Sequence, residues 1–307
     1  MQVYTHWQGI PDAARGASVA MGNFDGVHLG HQAVIGLARG AAPLGVVTFE
    51  PHPREYFSPL APPFRLMNAE ARANRLAKMG VKHLFQLPFD AVMAGLTPER
   101  FAREVLAQGL GLSHIVVGAD FRFGAGRKGS AEDMIRMGAE FGFDVTVSDL
   151  IQHGNQEISS TAIRQALAVG SPRDAAAMLG HWHRIEGEVI HGEKRGRELG
   201  FPTANMALSG LHLPRFGVYA VKVDVLSGPH AGSYMGAASL GVRPMFAGEV
   251  PNLETYLLDF KGDLYGHHLS VALVDFLRPE MKFDGLPALI AQMDADCARA
   301  REIMAQP

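Results

Sequence analysis

Two histidines, His28 and His31, stand three residues apart in the segment Gly22-Asn23-Phe24-Asp25-Gly26-Val27-His28-Leu29-Gly30-His31. At that spacing both imidazoles share one face of a first helical turn. Paired there, they can donate hydrogen bonds to a developing pyrophosphate with no covalent step. Gly30 between them removes a side chain and lets a phosphate chain come close. A helix start carrying two solvated histidines is the other account of the same residues. The pattern is neither Gly-x-Gly-x-x-Gly nor the Gly-Lys-Ser/Thr of a P-loop, so a nicotinamide dehydrogenase and a P-loop kinase both lose support. A second group is Ser159, Ser160 and Thr161 ahead of Arg164. A helix N-cap needs one hydroxyl, whereas three with an arginine make an anion cradle. A third is the cationic glycine loop from Gly192 to Gly196, with Lys194, Arg195 and Arg197, leading into Gly200-Phe201-Pro202-Thr203-Ala204-Asn205. On an extended segment Thr203 and Asn205 point the same way and offer oxygen ligands of the kind Mg²⁺ accepts beside nucleotide phosphates. Taken alone, that pattern occurs in many turns.

The elements that must carry these groups fall into two textures. Up to about residue 150, short apolar runs (18–22, 44–50, 83–87, 114–118 and 143–147) alternate with helical stretches. One of these helices opens with Thr97 as N-cap and Pro98 at its first position. This alternation predicts a parallel sheet with helices on both faces, followed by two short helices reaching about residue 180. The His28/His31 turn leaves the first strand and opens the first helix, where ligands of open α/β sheets bind. Beyond Gly180, strand-like segments separated by Gly- and Pro-rich turns predict a small antiparallel barrel or sandwich closed by one long C-terminal helix. The expected domains are therefore residues 1–182 and 183–307.

Composition narrows the partners. The 307 residues carry 28 Lys and Arg against 31 Asp and Glu, a net charge of -3, which gives no general field for a nucleic-acid backbone. The single cysteine, Cys297, excludes an internal disulfide and a Cys-rich zinc site. The opening MQVYTHWQG has no basic segment followed by an apolar stretch, and no apolar run approaches the ~20 residues of a membrane span. A cytoplasmic protein is expected, without nucleic-acid or membrane partners; its oligomeric state is left open by the sequence. His267 and His268 are adjacent on a strand and cannot chelate together. His181 and His183 lack an evident third ligand, Cys297 reads as an inert thiol, and Leu289, Ile290 and Met293 of the last helix read as packing.

The segment GNFDGVHLGHQ resembles the HxGH turn of nucleotidylyltransferases, in the form carried by bacterial bifunctional riboflavin kinase/FAD synthetases. TFEPHPREYF (48–57), GADFRFGAGRKGS (118–130), ISSTAIRQAL (158–167) and RGRELGFPTAN (195–205) resemble that family in the same order, over roughly residues 15 to 304. The resemblance implies a Rossmann-like N-terminal domain that joins FMN and ATP into FAD and pyrophosphate. It also implies a six-stranded C-terminal barrel that phosphorylates riboflavin with Mg²⁺ and ATP. On that basis His28 and His31 hold the ATP phosphates beside Gly22, Asn23 and Gly30, while Ser160, Thr161 and Arg164 face the β- and γ-phosphates. His52 of the rigid Pro51-His52-Pro53 turn, Asp120 and Phe201 fall to the flavins. Gly192, Lys194 and Gly196 attend the second nucleotide, and Thr203 and Asn205 take metal and phosphate. Glu254, which alone reads as a strand residue facing solvent, aligns with the family's base. The chain departs from the family at Ala119, Ser239, Val242, Met245 and Thr255-Tyr256, which leaves flavin contacts more open than phosphate chemistry. A C-terminal domain that binds flavin without kinase activity is the nearest rival.

Overall fold

The computed structural model describes residues 1–149, 152–153, 156–192, 199–245 and 248–305. Close packing divides the chain into two units. The first comprises residues 1–62 and 72–158, and the second residues 63–71 and 159–307. The change of texture near 182 marks the first barrel strand. By contrast, the two helices before it, and the short segment 63–71, pack with the second unit because Leu66, Ile163, Leu167, Ala175 and Leu179 share one apolar cluster.

In the first unit, β1 (Gln2–Tyr4), β2 (Ser18–Met21), β3 (Leu44–Glu50), β4 (His83–Pro88), β5 (His114–Gly118) and β6 (Asp144–Ser148) form one sheet in the order β1-β4-β3-β2-β5-β6. Every pairing in it is parallel. Strand β2 is buried at all four positions, as a strand covered on both faces must be. Helix α1 (Leu29–Leu37) follows β2, α2 (Pro53–Phe57) follows β3, and α3 (Ala69–Lys78) precedes β4. The remaining helices are α4 (Ala91–Gly95), α5 (Pro98–Arg100) and α6 (Ala131–Phe141), with a π-spaced stretch Phe101–Leu110 continuing α5. Thr97 caps α5 by accepting from the Arg100 N–H, with Pro98 at the first helical position, as expected. An antiparallel pair of two-residue strands, β7 (Gln152–His153) and β8 (Gln156–Glu157), lies near the end of the unit.

In the second unit α7 (Ser160–Ala168) and α8 (Pro172–Leu179) precede the barrel. Its strands are β9 (Arg184–Glu188), β10 (Thr203–Ala207), β11 (Gly217–Val225), β12 (Gly232–Met245), β13 (Gly248–Leu257) and β14 (His268–Arg278), in the order β10-β13-β12-β11-β14-β9, all antiparallel. The Ile190 N–H donates to the Asn205 carbonyl at 2.8 Å, so the chain after β9 meets β10 and draws the two edges together. Met206, Tyr219, Val221, Leu240, Leu253 and Leu273 fill the interior. The terminal helix α9 (Leu286–Ala305) packs Ala300 and Ile303 on the outside against Ala220, Ala237 and Val274.

Candidate active sites

In the parallel sheet, β3, β2 and β5 are neighbours, and the chain leaves β2 toward β3 while β5 lies on its other side. Their carboxyl ends at this reversal are where open α/β sheets bind ligands. They deliver, in order, the turn with His52, the turn Gly22–His28, and Asp120. The middle turn holds Phe24, Gly26 and Val27 at φ 52°, 85° and 45°. A left-handed valine is uncommon, and Val27 is kept there by complete burial. His28 ends the turn as N-cap of α1, its Nδ1 accepting from the His31 N–H at 3.3 Å. With Nδ1 as acceptor, the neutral ring carries its proton on Nε2, which remains a donor. The rings of His28 and His31 stack at 3.6 Å and 17°, so the i, i+3 spacing does bring them together. Burial holds His28 down at about 4 and His31 well below the usual imidazole range, the neighbouring His28 adding to the latter. At neutral pH both rings are uncharged. Nδ1 of His31 is buried and has no hydrogen-bond partner among the described residues. Gly30 acts one step earlier than the sequence implied: a Cβ there would meet Cε1 and Nδ1 of His28 at 3.2 Å, so the glycine makes room for the imidazole itself.

The sequence did not single out Arg72, one of the largest fully buried side chains. It donates to Glu50 Oε2 at 2.9 Å, to Gln86 Oε1 at 3.3 Å and to the Asn23 carbonyl at 3.4 Å, tying the ends of β3 and β4 to the histidine turn. Position 72 reads as one more charged residue in a helix, and only the tertiary fold shows its burial.

A cavity of about 630 Å³ opens beside this turn. Gly22, Asn23, His52 and Asp120 line it, together with Phe49, Phe57, Phe89, Phe121, Arg54 and Arg122. Aromatic walls with a few charges suit a flat ring system bearing a phosphate. His28 and His31 are not among its lining residues. His52 is also the N-cap of α2, its Nδ1 accepting from the Arg54 N–H at 3.0 Å while its own N–H donates to Glu55. The glycine loop after β5 is folded against its neighbours: a Cβ at Gly124 would strike Pro98 at 2.6 Å, and one at Gly129 the Phe123 ring at 2.7 Å.

Ser159 supplies the N-cap of α7, accepting from the Ala162 N–H at 3.2 Å. The structure brings the rest of that cluster together on the second unit. Arg164 donates to Thr161 Oγ1 at 3.2 Å and to the Phe64 carbonyl at 3.3 Å, and Ser160 is the first residue of the same helix.

On the barrel, Asn205 and Glu254 face each other across β10 and β13, Thr203 pairs with Tyr256, and Ser239 opposes Glu254 from β12. Thr203 lines two cavities. One, of about 240 Å³, includes Phe201, Ser239, Glu254 and Tyr256. The other, of about 160 Å³, includes Val189, Pro202, Lys261 and Asp263. Of these two cavities Glu254 lines the first and not the second. Asn205 is buried, its amide donating to the Thr203 carbonyl at 3.3 Å. Gly192 lines neither cavity; Lys194 and Gly196 lie outside the described residues. Leu289 and Met293, read from sequence as packing, instead line the 240 Å³ cavity, because α9 packs through Ala300 and Ile303 further along. Cys297 shares that wall, and burial pushes its thiol up to about 11, in keeping with an inert role. His183 is buried and held down at about 3 by desolvation, then by His181 and His212. Among the described residues no group of three or more His, Cys, Asp or Glu is disposed to hold a metal ion. Any cation here would rest on neutral oxygens such as those of Thr203 and Asn205, with a ligand's phosphates supplying charge.

Residues 10–162 match the FAD synthetase family model and residues 179–304 the riboflavin kinase model. A bifunctional riboflavin kinase/FMN adenylyltransferase of Pseudomonas fluorescens is 39% identical, over 99% of this chain and 98% of its own length. The Escherichia coli K12 protein of the same description is 41% identical over 94% of this chain and 92% of its own. A solved structure described as a macrolide-efflux protein of Streptococcus pneumoniae superposes with a TM-score of 0.80 at 32% identity, covering 98% of each chain. Among the described residues no helix is long and apolar enough to cross a membrane.

Proposed function

This chain belongs to the bifunctional riboflavin kinase/FMN adenylyltransferase family, and we propose that residues 1–182 adenylylate FMN while residues 183–307 make that FMN from riboflavin. In the first reaction a phosphate oxygen of FMN attacks the α-phosphorus of ATP, and pyrophosphate leaves. Neutral His28 and His31 donate to the phosphate chain and stabilise the charge that grows on the leaving group. Gly22 and Asn23 let it approach and Gly30 seats the His28 imidazole, while Ser160, Thr161 and Arg164, on the second unit, are donors of the kind β- and γ-phosphates take. His52 and Asp120, in the aromatic cavity, hold the flavin. These groups position reactants and offset charge, which is most of what phosphoryl and nucleotidyl transfer demand.

The observation that carries the second reaction is the position of Thr203 between two cavities, only one of which contains Glu254. Riboflavin lies in the cavity with Phe201 and Glu254, and ATP on the far side of Thr203; Gly192, Lys194 and Gly196 bind that nucleotide. The riboflavin 5′-hydroxyl attacks the γ-phosphorus, Glu254 takes its proton, and ADP leaves. Thr203 and Asn205 would hold Mg²⁺, which when bound offsets the phosphate charge. Two ATP-consuming steps suit a cytoplasmic enzyme whose partners are riboflavin, FMN and ATP.

Incubating the full chain with riboflavin, ATP and Mg²⁺ and separating products by chromatography tests this. FMN and ADP should appear first, then FAD and pyrophosphate. FAD from added FMN, with no FMN from riboflavin, would leave the barrel as a flavin-binding module.

A further inference from the structure

Asn252 lies two residues before Glu254 on β13, so both side chains stand on one face of the strand. Asn205, opposite Glu254 on β10, is the diagonal neighbour of Asn252. The Asn252 side chain is buried, and its Nδ2 donates to Asn205 Oδ1 at 3.1 Å and to Glu254 Oε1 at 3.3 Å. One NH₂ group thus spends its two hydrogens on the two residues assigned above to phosphate chemistry and proton removal. Asn205 is fixed from its other end as well, through its Nδ2 and the Thr203 carbonyl. Together these bonds decide which way the Asn205 oxygen faces and where the Glu254 carboxylate rests. Asn252 itself lines neither barrel cavity.

We propose that Asn252 is a positioning residue of the phosphoryl-transfer site, locking the Asn205 amide and the Glu254 carboxylate into one register; the inference rests on the kinase reading above. An amide is required there, because both partners accept. Aspartate has the same size but offers only acceptors at neutral pH, and would set a second carboxylate against Glu254.

Three variants of the full chain, Asn252→Asp, Asn252→Leu and Asn252→Ser, test it. Riboflavin binding is read by quenching of flavin fluorescence, turnover by FMN formation, and the Asn205 side-chain amide by NMR without substrates. Turnover should fall on the order of 100-fold in the Asp and Leu variants, Asp being the worse. Riboflavin affinity should stay within about threefold, since Asn252 lines neither cavity and, of the residues lining the flavin cavity, its loss releases Glu254 while Phe201 and Tyr256 stay in place. Serine, which keeps one donor, should recover part of the rate even if leucine fails to fold. The Asn205 amide signal should shift in the Asp and Ser variants. Near-normal turnover in Asn252→Asp, or riboflavin binding and turnover falling in parallel, overturns the proposal. An unmoved Asn205 amide overturns the bridge itself, whatever the activity. A wild-type chain that makes no FMN overturns the kinase reading and the catalytic role of the bridge with it, leaving the amide shift as a structural fact.

Discussion

Replacing Gly30 with alanine should separate stability from activity in the first unit. The added Cβ would lie 3.2 Å from both Cε1 and Nδ1 of His28, which obliges the imidazole to move by a few tenths of an ångström. That ring is held by the His31 N–H at 3.3 Å and by stacking at 3.6 Å, so the shift is passed to the pair. Misplacing a reacting group by about 1 Å costs on the order of 100-fold in rate, so a few tenths should lower FAD formation roughly 5- to 10-fold. Alanine is also the better helix former, by up to about 1 kcal/mol, so the thermal midpoint should hold or rise slightly. The assay is FAD formation from FMN and ATP, beside FMN formation from riboflavin and a thermal melt. A Gly30→Ala chain that makes FAD at the wild-type rate would refute the claim that Gly30 exists to seat His28. Equal losses in both activities would refute the assignment of this turn to adenylyl transfer alone.

Three further outcomes follow from the same structure. Thr255 is completely buried and its hydroxyl has no hydrogen-bond partner among the described residues, so Thr255→Val should raise the unfolding free energy by about 1–2 kcal/mol, read as a higher denaturant midpoint. His28 and His183 titrate at about 4 and about 3 when folded, against 6.5 when free. The unfolded chain therefore binds more protons between these values: stability is complete above pH 6.5 and is lost as pH falls through the folded values, and melts at pH 7.5 and 5 should show it, with less loss in His183→Asn. Asp296, nearly buried, takes a two-pronged bond from Arg278 with Nη2–Oδ2 at 2.7 Å, and both residues line the 240 Å³ cavity proposed above for riboflavin. Asp296→Ala should cost about 3 kcal/mol and raise KM for riboflavin more than it lowers kcat, in a steady-state assay.

Much of the fold was legible because its periodicities are clean. The short apolar run SVAMG reads as a strand within the strand–helix alternation, and its turn into His28 marked the sheet's ligand-binding edge. The edge strand β1 escaped notice because three residues carry no period, and β10 was seen only as an extended pair, Thr203 and Asn205. Long-range facts were harder. Nothing local distinguishes Arg72 from a solvated helix arginine, nor Glu254 from a strand glutamate in water; both depend on what the fold brings opposite them. Asn252 had a readable signal, an amide two residues before a glutamate on a strand, which acquires meaning once Asn205 is placed across from it. Leu289 and Met293 misled for a related reason: an apolar helix face that borders a cavity has the same sequence pattern as one that fills a core.

The division of labour between the two units is tested most directly by one chromatographic assay of both products on paired variants. His28→Ala/His31→Ala should lose FAD formation and keep FMN formation. Glu254→Gln should lose FMN formation from riboflavin and still convert added FMN into FAD. Loss of both activities in either folded variant would contradict two separate sites.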